Sequence, residues 1–160
     1  MLSTRVVVAG ATLAGLGRKM PAPGTWGSLA GLLYFAIFFY RLDVITTLIA
    51  SAVGGYLAVA FCGEAEKRLA KQDPGEVILD EFVAMPLCFL GWQSIDHRLP
   101  PWAVLLAGFT LFRFYDIAKP LGISRLQALP GGWGVVADDM AAALAACATL
   151  HLSVWIWRIW

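Results

Sequence analysis

The chain has 160 residues, enough for one domain; 59% of them are hydrophobic and only 14% charged, and the mean hydropathy is +0.71. That balance lies outside the range of water-soluble domains and marks an integral membrane protein. A formal net charge of +1 and the lack of any nucleic-acid-binding motif exclude nucleic acid as a partner, so any anion must be bound locally.

The first apolar run, V-V-V-A-G-A-T-L-A-G-L-G at 6–17, is too short to cross a bilayer. It has the look of a signal-peptide core, but it leads into Arg18-Lys19 and a Pro/Gly stretch, so an interfacial or packed helix is expected. P-A-P-G-T-W-G-S at 21–28 reads as a rigid turn, with Thr25 or Ser28 as N-cap of a short helix over 28–40. Free backbone N–H groups beside Gly24 and Gly27 would cradle a phosphate there; the competing reading is a plain helix-initiating turn at the membrane surface. Residues 44–63 are twenty uncharged positions, about 30 Å of helix and a full crossing. Within it Ser51, Gly54 and Gly55 are small enough to admit a neighbouring helix.

Residues 64–76 alternate in charge and stop at Pro74-Gly75, the pattern of a solvated helical extension, which discounts Glu64 and Glu66 as ligands. The chain is apolar again over 77–95, broken only by Asp80 and Glu81. A short turn, Asp96-His97-Arg98, then leads through Pro100-Pro101 into a span ending around Asp116. The stretch 120–136 reads as a loop whose P-G-G-W-G either offers backbone N–H groups to an anion or merely connects. Asp138 and Asp139 open the last run, 140–157; one of them suits the positive end of a helix, but two exceed what capping needs. Trp155, Trp157 and Trp160 read as an interfacial aromatic belt. Cys62, Cys88 and Cys147 sit inside apolar runs and His151 inside the last one, all as packing residues.

Five carboxylates stand out from this background: Asp80, Glu81, Asp116, Asp138 and Asp139. Arg113, Asp116 and Lys119 are spaced three apart, so on a helix they share one stripe; an ion pair that only fixes helix register is the competing reading. If the five converge with only Arg113 and Lys119 close by, their repulsion calls for a cation, and hard oxygen ligands suit Mg²⁺, Mn²⁺ or Ca²⁺ rather than zinc. Sidedness agrees with convergence. Lys and Arg fall in groups of 3, 1, 3, 1, 3 and 1 along the chain, which fits five crossings with the N-terminus inside and places all these residues at the cytoplasmic face. Clustering at one interface favours chemistry on a lipid headgroup. A small cation-binding transporter or channel subunit is the alternative, though it would more naturally hold its ionisable groups near the midplane.

P-G-T-W-G-S at 23–28, D-E-F at 80–82, F-R-F-Y-D-I-A-K-P at 112–120 and G-G-W-G-V-V-A-D-D at 131–139 occur in the order found in the phosphatidylglycerophosphatase A family, which the chain resembles from about residue 8 to 145. The resemblance implies a single all-α phosphatase domain over 1–160 in the bacterial inner membrane, and the apolar runs with the Lys/Arg alternation make it a polytopic membrane-embedded bundle of about four to five transmembrane or partly re-entrant helices. It implies a Mg²⁺-dependent enzyme that converts phosphatidylglycerophosphate to phosphatidylglycerol, the precursor of cardiolipin. Asp80, Glu81, Asp116, Asp138 and Asp139 would hold the metal, Arg113 and Lys119 would grip the phosphate, and Gly24, Thr25, Gly27 and Ser28 would complete the cradle. Attack by water is expected rather than a phospho-aspartate, because the chain lacks a D-x-D followed by an apolar strand. A homo-oligomer stays open.

Overall fold

Pro23 has the fixed φ and the missing N–H that suit a first helical position, and in the computed structural model it begins a helix rather than a turn. The structure describes residues 2–95 and 99–159, the side chain of Arg158 apart. The turn Asp96-His97-Arg98 and Trp160 of the aromatic belt lie outside the described residues. Helix α1 (Thr4–Ala11) is capped by the Ser3 hydroxyl, which accepts from the Val6 N–H. Left-handed Leu13, Ala14 and Gly15 then turn the chain into a single helical turn, α2 (Leu16–Lys19). Helix α3 (Pro23–Tyr34) continues through a π turn, Phe35–Phe39, in which the Tyr40 N–H reaches the Phe35 carbonyl at 3.0 Å. P-G-T-W-G-S is therefore the first two turns of a helix whose N-cap is Ala22, and neither Thr25 nor Ser28 caps it.

Asp43 caps α4 (Val44–Leu69), its carboxylate accepting from the Ile45 and Thr46 N–H groups at 2.9 and 3.1 Å. The helix ends at left-handed Ala70 after carrying along the Arg68–Glu64 pair, 2.7 Å apart. The run 77–95 is not one helix. It divides into α5 (Leu79–Ala84) and two 3₁₀ segments, Met85–Phe89 and Trp92–Ser94, because Pro86 has no N–H to continue the ladder and Gly91 is left-handed. Helix α6 (Pro101–Ala118) ends at left-handed Lys119. A 3₁₀ segment, Ile123–Ala128, separates it from α7 (Gly132–Ile159). Asp138 and Asp139 thus lie about two turns inside α7 and do not cap it.

The described residues form helices and connections with no strand. The Trp92 indole N–H and the Gln93 amide donate to the Tyr40 and Leu42 carbonyls at 2.9 and 2.6 Å, joining the end of the α5 passage to the end of α3. At the opposite end Gly132 of α7 lies against the Val59 carbonyl of α4, and Lys119 reaches Asp138. Five passages therefore run alternately up and down, led by α3, α4, α5, α6 and α7. One end of the bundle collects the starts of α3, α5 and α7 and the finishes of α4 and α6. The main core packs Phe35, Met85, Phe89, Phe112 and Ala143, and a second one under α1 packs Val7, Ala58, Cys62 and Val136. His151 bonds the Leu90 carbonyl at 2.7 Å, and the three cysteines are buried and free, in packing roles as expected.

Helices α4 and α7 are each long and apolar enough to cross a membrane, and only 22% and 33% of their most apolar windows are buried within the protein. The core helix of a water-soluble domain would be mostly buried. Instead Ile45, Ile49 and Val53 of α4, Leu33 and Phe38 of the α3 passage, Trp102 and Leu106 of α6 and Trp155 of α7 form an exposed apolar collar. The α3 passage, Pro23–Phe39, is a shorter apolar helix.

Candidate active site

The first turn of α5 supplies Asp80 and Glu81, and its position is set by neighbours of very small size. The Ile78 N–H bonds the Ala11 carbonyl at 3.0 Å, which ties the chain before α5 to the end of α1. Helix α3 then lies so close that a Cβ on Gly24 would overlap the Glu81 carboxylate. One on Gly27 would sit 2.9 Å from the Ile78 carbonyl and 3.3 Å from Glu81 Oε2, and one on Gly31 2.8 Å from the Phe82 carbonyl. The glycines of the P-G-T-W-G-S motif are thus a seat for Glu81. The signal for this was the G-x-x-G-x-x-x-G spacing of Gly24, Gly27 and Gly31, of which the first two read from sequence as part of a turn, either phosphate-binding or helix-initiating.

Against that seat α7 brings Asp139. One carboxylate oxygen from each of Asp80, Glu81 and Asp139 lies within 4.8 Å of the other two. Asp80 and Asp139 are buried, Glu81 is partly so, and Glu81 Oε2 is enclosed without any hydrogen-bond partner. Burial pushes the Asp80 carboxyl well above the usual carboxylate range, and the charges of Glu81 and Asp139 push it the same way. Burial also raises Glu81, where the Asp116 charge adds to the effect while Arg113 and the hydrogen bond with Asp80 oppose it.

The two other carboxylates are held by the two cations. Arg113 Nη1 donates to Asp116 Oδ2 at 2.6 Å, the i,i+3 pairing expected on α6, and to the Ser28 hydroxyl at 3.1 Å. Ser28 itself is buried and donates to the Gly24 carbonyl at 2.7 Å. Lys119, just past the end of α6, donates to Asp138 Oδ2, leaving Asp138 Oδ1 buried and unpartnered. Arg113 Nε is likewise buried without a partner. Thr25 is exposed and its N–H bonds the Ala22 carbonyl at 2.9 Å, so this amide is not free to cradle an anion. Gly132 and Gly134 do not offer a flexible anion loop either: both are in the first turn of α7, where a Cβ would strike the carbonyls of Val59 and of Gln127 and Leu129.

Three converging carboxylates with an enclosed, unpartnered oxygen and no cation among them are compatible with a divalent metal. With oxygen ligands alone, such a centre suits a hard ion. Arg113 and Lys119 flank it as the cations able to meet an anionic substrate.

The sequence profile of the phosphatidylglycerophosphatase A family matches residues 9–154. A Haemophilus influenzae phosphatidylglycerophosphatase A is 37% identical over 133 residues, covering 82% of this chain and 78% of that protein. A Bacteroides thetaiotaomicron protein named as a candidate phosphatidylinositol-3-phosphatase is 32% identical over 140 residues, covering 84% and 85%. An Escherichia coli K12 phosphatidylglycerophosphatase A is 28% identical over 141 residues, covering 86% and 77%. No solved structure matches the chain.

Proposed function

The chain belongs to the phosphatidylglycerophosphatase A family and is a phosphatase; on that premise we propose that it hydrolyses phosphatidylglycerophosphate to phosphatidylglycerol and phosphate, with Mg²⁺, at the cytoplasmic face of a bacterial inner membrane. The reading rests above all on the convergence of Asp80, Glu81 and Asp139 from α5 and α7 at one end of the bundle, flanked by Arg113 and Lys119. Asp80, Glu81 and Asp139 would hold Mg²⁺, aided by Asp116 and Asp138, and the bound ion would neutralise phosphate charge and lower the pKa of a water. Arg113 presents a planar guanidinium whose Nε has no protein partner, suited to two phosphate oxygens at once. Ser28 orients that guanidinium from the α3 side, while Lys119 adds a second positive charge from the end of α6. Gly24 and Gly27 act by keeping α3 against Glu81, and Thr25 lines the exposed approach.

The bilayer covers the apolar collar, with α4 and α7 crossing it and the α3, α5 and α6 passages accompanying them as full or partial crossings. The alternating Lys/Arg count favours a cytoplasmic position for the carboxylate end. Phosphatidylglycerophosphate and the phosphatidylinositol 3-phosphate implied by the Bacteroides relative's name both carry a terminal phosphomonoester beyond a phosphodiester, so the geometry must be tested on both. Purified protein in neutral detergent is expected to release phosphate from phosphatidylglycerophosphate with Mg²⁺ and not with EDTA, and to be slower on phosphatidylinositol 3-phosphate. No release from phosphatidylglycerophosphate with Mg²⁺ present would overturn the reading, and would return weight to a cation-carrying one.

A further inference from the structure

Beside the carboxylate centre, between the end of α4 and the start of α7, lies a cleft of about 640 Å³, a size typical of ligand sites. We propose that this cleft, flanked by Lys67 and Lys71, is a second anion subsite that takes the phosphodiester of a lipid whose terminal phosphomonoester lies at the carboxylates. The proposal rests on the phosphatase reading above and names the part of the substrate that reading leaves without a partner.

The cleft adjoins the centre through α7. Gly134 and Val135, which line it, precede Asp138 by four and three positions and so share its side of the helix. Asp73 lies on the opposite wall. An anion in the cleft would thus lie about one helical turn of α7 from Asp138. Four of the basic groups around this end are engaged, Arg18 with Glu76, Arg68 with Glu64, Arg113 with Asp116 and Lys119 with Asp138, and of the others only Lys67 and Lys71 line the cleft. Lys67 and Lys71 are exposed and have no ion-pair partner among the described residues. Of the two acids lining the same cleft, Glu66 accepts the Asp73 N–H at 2.8 Å and is turned into the loop, which leaves Asp73 as the one loose carboxylate. Gln127 adds an uncharged donor from the facing wall. Two unpaired ammonium groups and an amide around a headgroup-sized space suit a singly charged phosphodiester.

The test compares the full-length chain with Lys67→Gln, Lys71→Gln and the double variant in neutral-detergent micelles, where no anionic bilayer attracts the lysines. Hydrolysis is followed with Mg²⁺ on phosphatidylglycerophosphate and on phosphatidic acid, which carries a monoester and no diester. The double variant should lose about tenfold or more in kcat/KM on the first, mostly through KM, and nothing on the second, while Lys→Arg variants should retain activity. Equal losses on both lipids, no loss on either, or a loss seen only in anionic vesicles would overturn the subsite. In parallel, binding of glycerophosphoglycerol, the water-soluble diester alone, is followed by ³¹P NMR; it should weaken about tenfold in the double variant. If no lipid is hydrolysed, the phosphatase reading fails while the diester titration still decides the subsite: no binding, or unchanged binding in the double variant, sinks it.

Discussion

Asn in place of Asp80 keeps the shape of the side chain and removes its charge, so it measures the repulsion stored in the carboxylate centre. The oxygens of Asp80, Glu81 and Asp139 lie within 4.8 Å of one another, where two ionised groups repel by about 3.5 kcal/mol at an effective dielectric constant of about 20. Asp80 takes part in two of the three pairs, so removing its charge from the fully ionised centre would relieve about 7 kcal/mol at that outer separation. The protein without metal escapes part of this because Asp80 ionises less readily, its carboxyl raised by burial and then by its two neighbours. At neutral pH a gain on the order of 2–3 kcal/mol is left, or about 4–12 °C in melting temperature for a chain of this length. The sign of the pH dependence follows from the raised carboxyl. Its contribution to wild-type stability is fully present below the unfolded value of 3.8 and is lost as pH rises through the folded one. Asn does not titrate, so the advantage of Asp80→Asn should widen with pH. The assay is thermal unfolding of both proteins in detergent, in EDTA and in Mg²⁺, at several pH values. The variant should melt higher than wild type in EDTA and gain little from Mg²⁺. A variant that melts lower in EDTA, yet keeps the full Mg²⁺ shift and a normal Mg²⁺ dependence of residual activity, would refute the metal centre.

Ser28→Ala removes the hydroxyl that accepts from Arg113 and should lower kcat/KM about three- to tenfold, the worth of one net hydrogen bond. Thr25→Val, at an exposed position outside that network, should cost less, and equal losses for the two would contradict the network. Gly27→Ala forces a Cβ to within 2.9 Å of Ile78 and should destabilise by about 1–3 kcal/mol. By shifting Glu81 it should also raise the Mg²⁺ concentration for half-maximal activity, whereas a purely structural glycine would leave that concentration alone. Arg113→Met strands Asp116 as a buried charge and should lower stability by about 3–5 kcal/mol in metal-free protein; an unchanged melting temperature there would show that the pair carries no such role. Ala70→Cys and Gln127→Cys should be labelled from one side of sealed vesicles and Arg41→Cys from the other. Labelling of 70 and 127 from opposite sides would separate the ends that form the site.

Composition alone dictated that much apolar surface stays outside the core. A 160-residue chain that is 59% hydrophobic has too little interior to hide it, and only 22% and 33% of the most apolar windows of α4 and α7 are accordingly buried. The twenty uncharged positions 44–63 were legible as a helix, and the spacing of Arg113 and Asp116 as a shared stripe, because both follow from helix geometry within one segment. The motif order along the chain likewise carried the family. P-G-T-W-G-S was misread as a turn because isolated Gly and Pro favour turns. In the folded protein, close packing of α3 on α5 outweighs that preference, and only a partner helix at van der Waals distance makes those glycines necessary. Nor could the sequence say which carboxylates meet. Adjacent residues on a helix point about 100° apart, so Asp138 and Asp139 cannot both face one centre in the same way. The rotation of α7 against α4, set where Gly132 lies on the Val59 carbonyl, turns Asp139 toward Asp80 and Glu81 and Asp138 toward Lys119. That rotation is a property of the contact between helices, and no single helix encodes it.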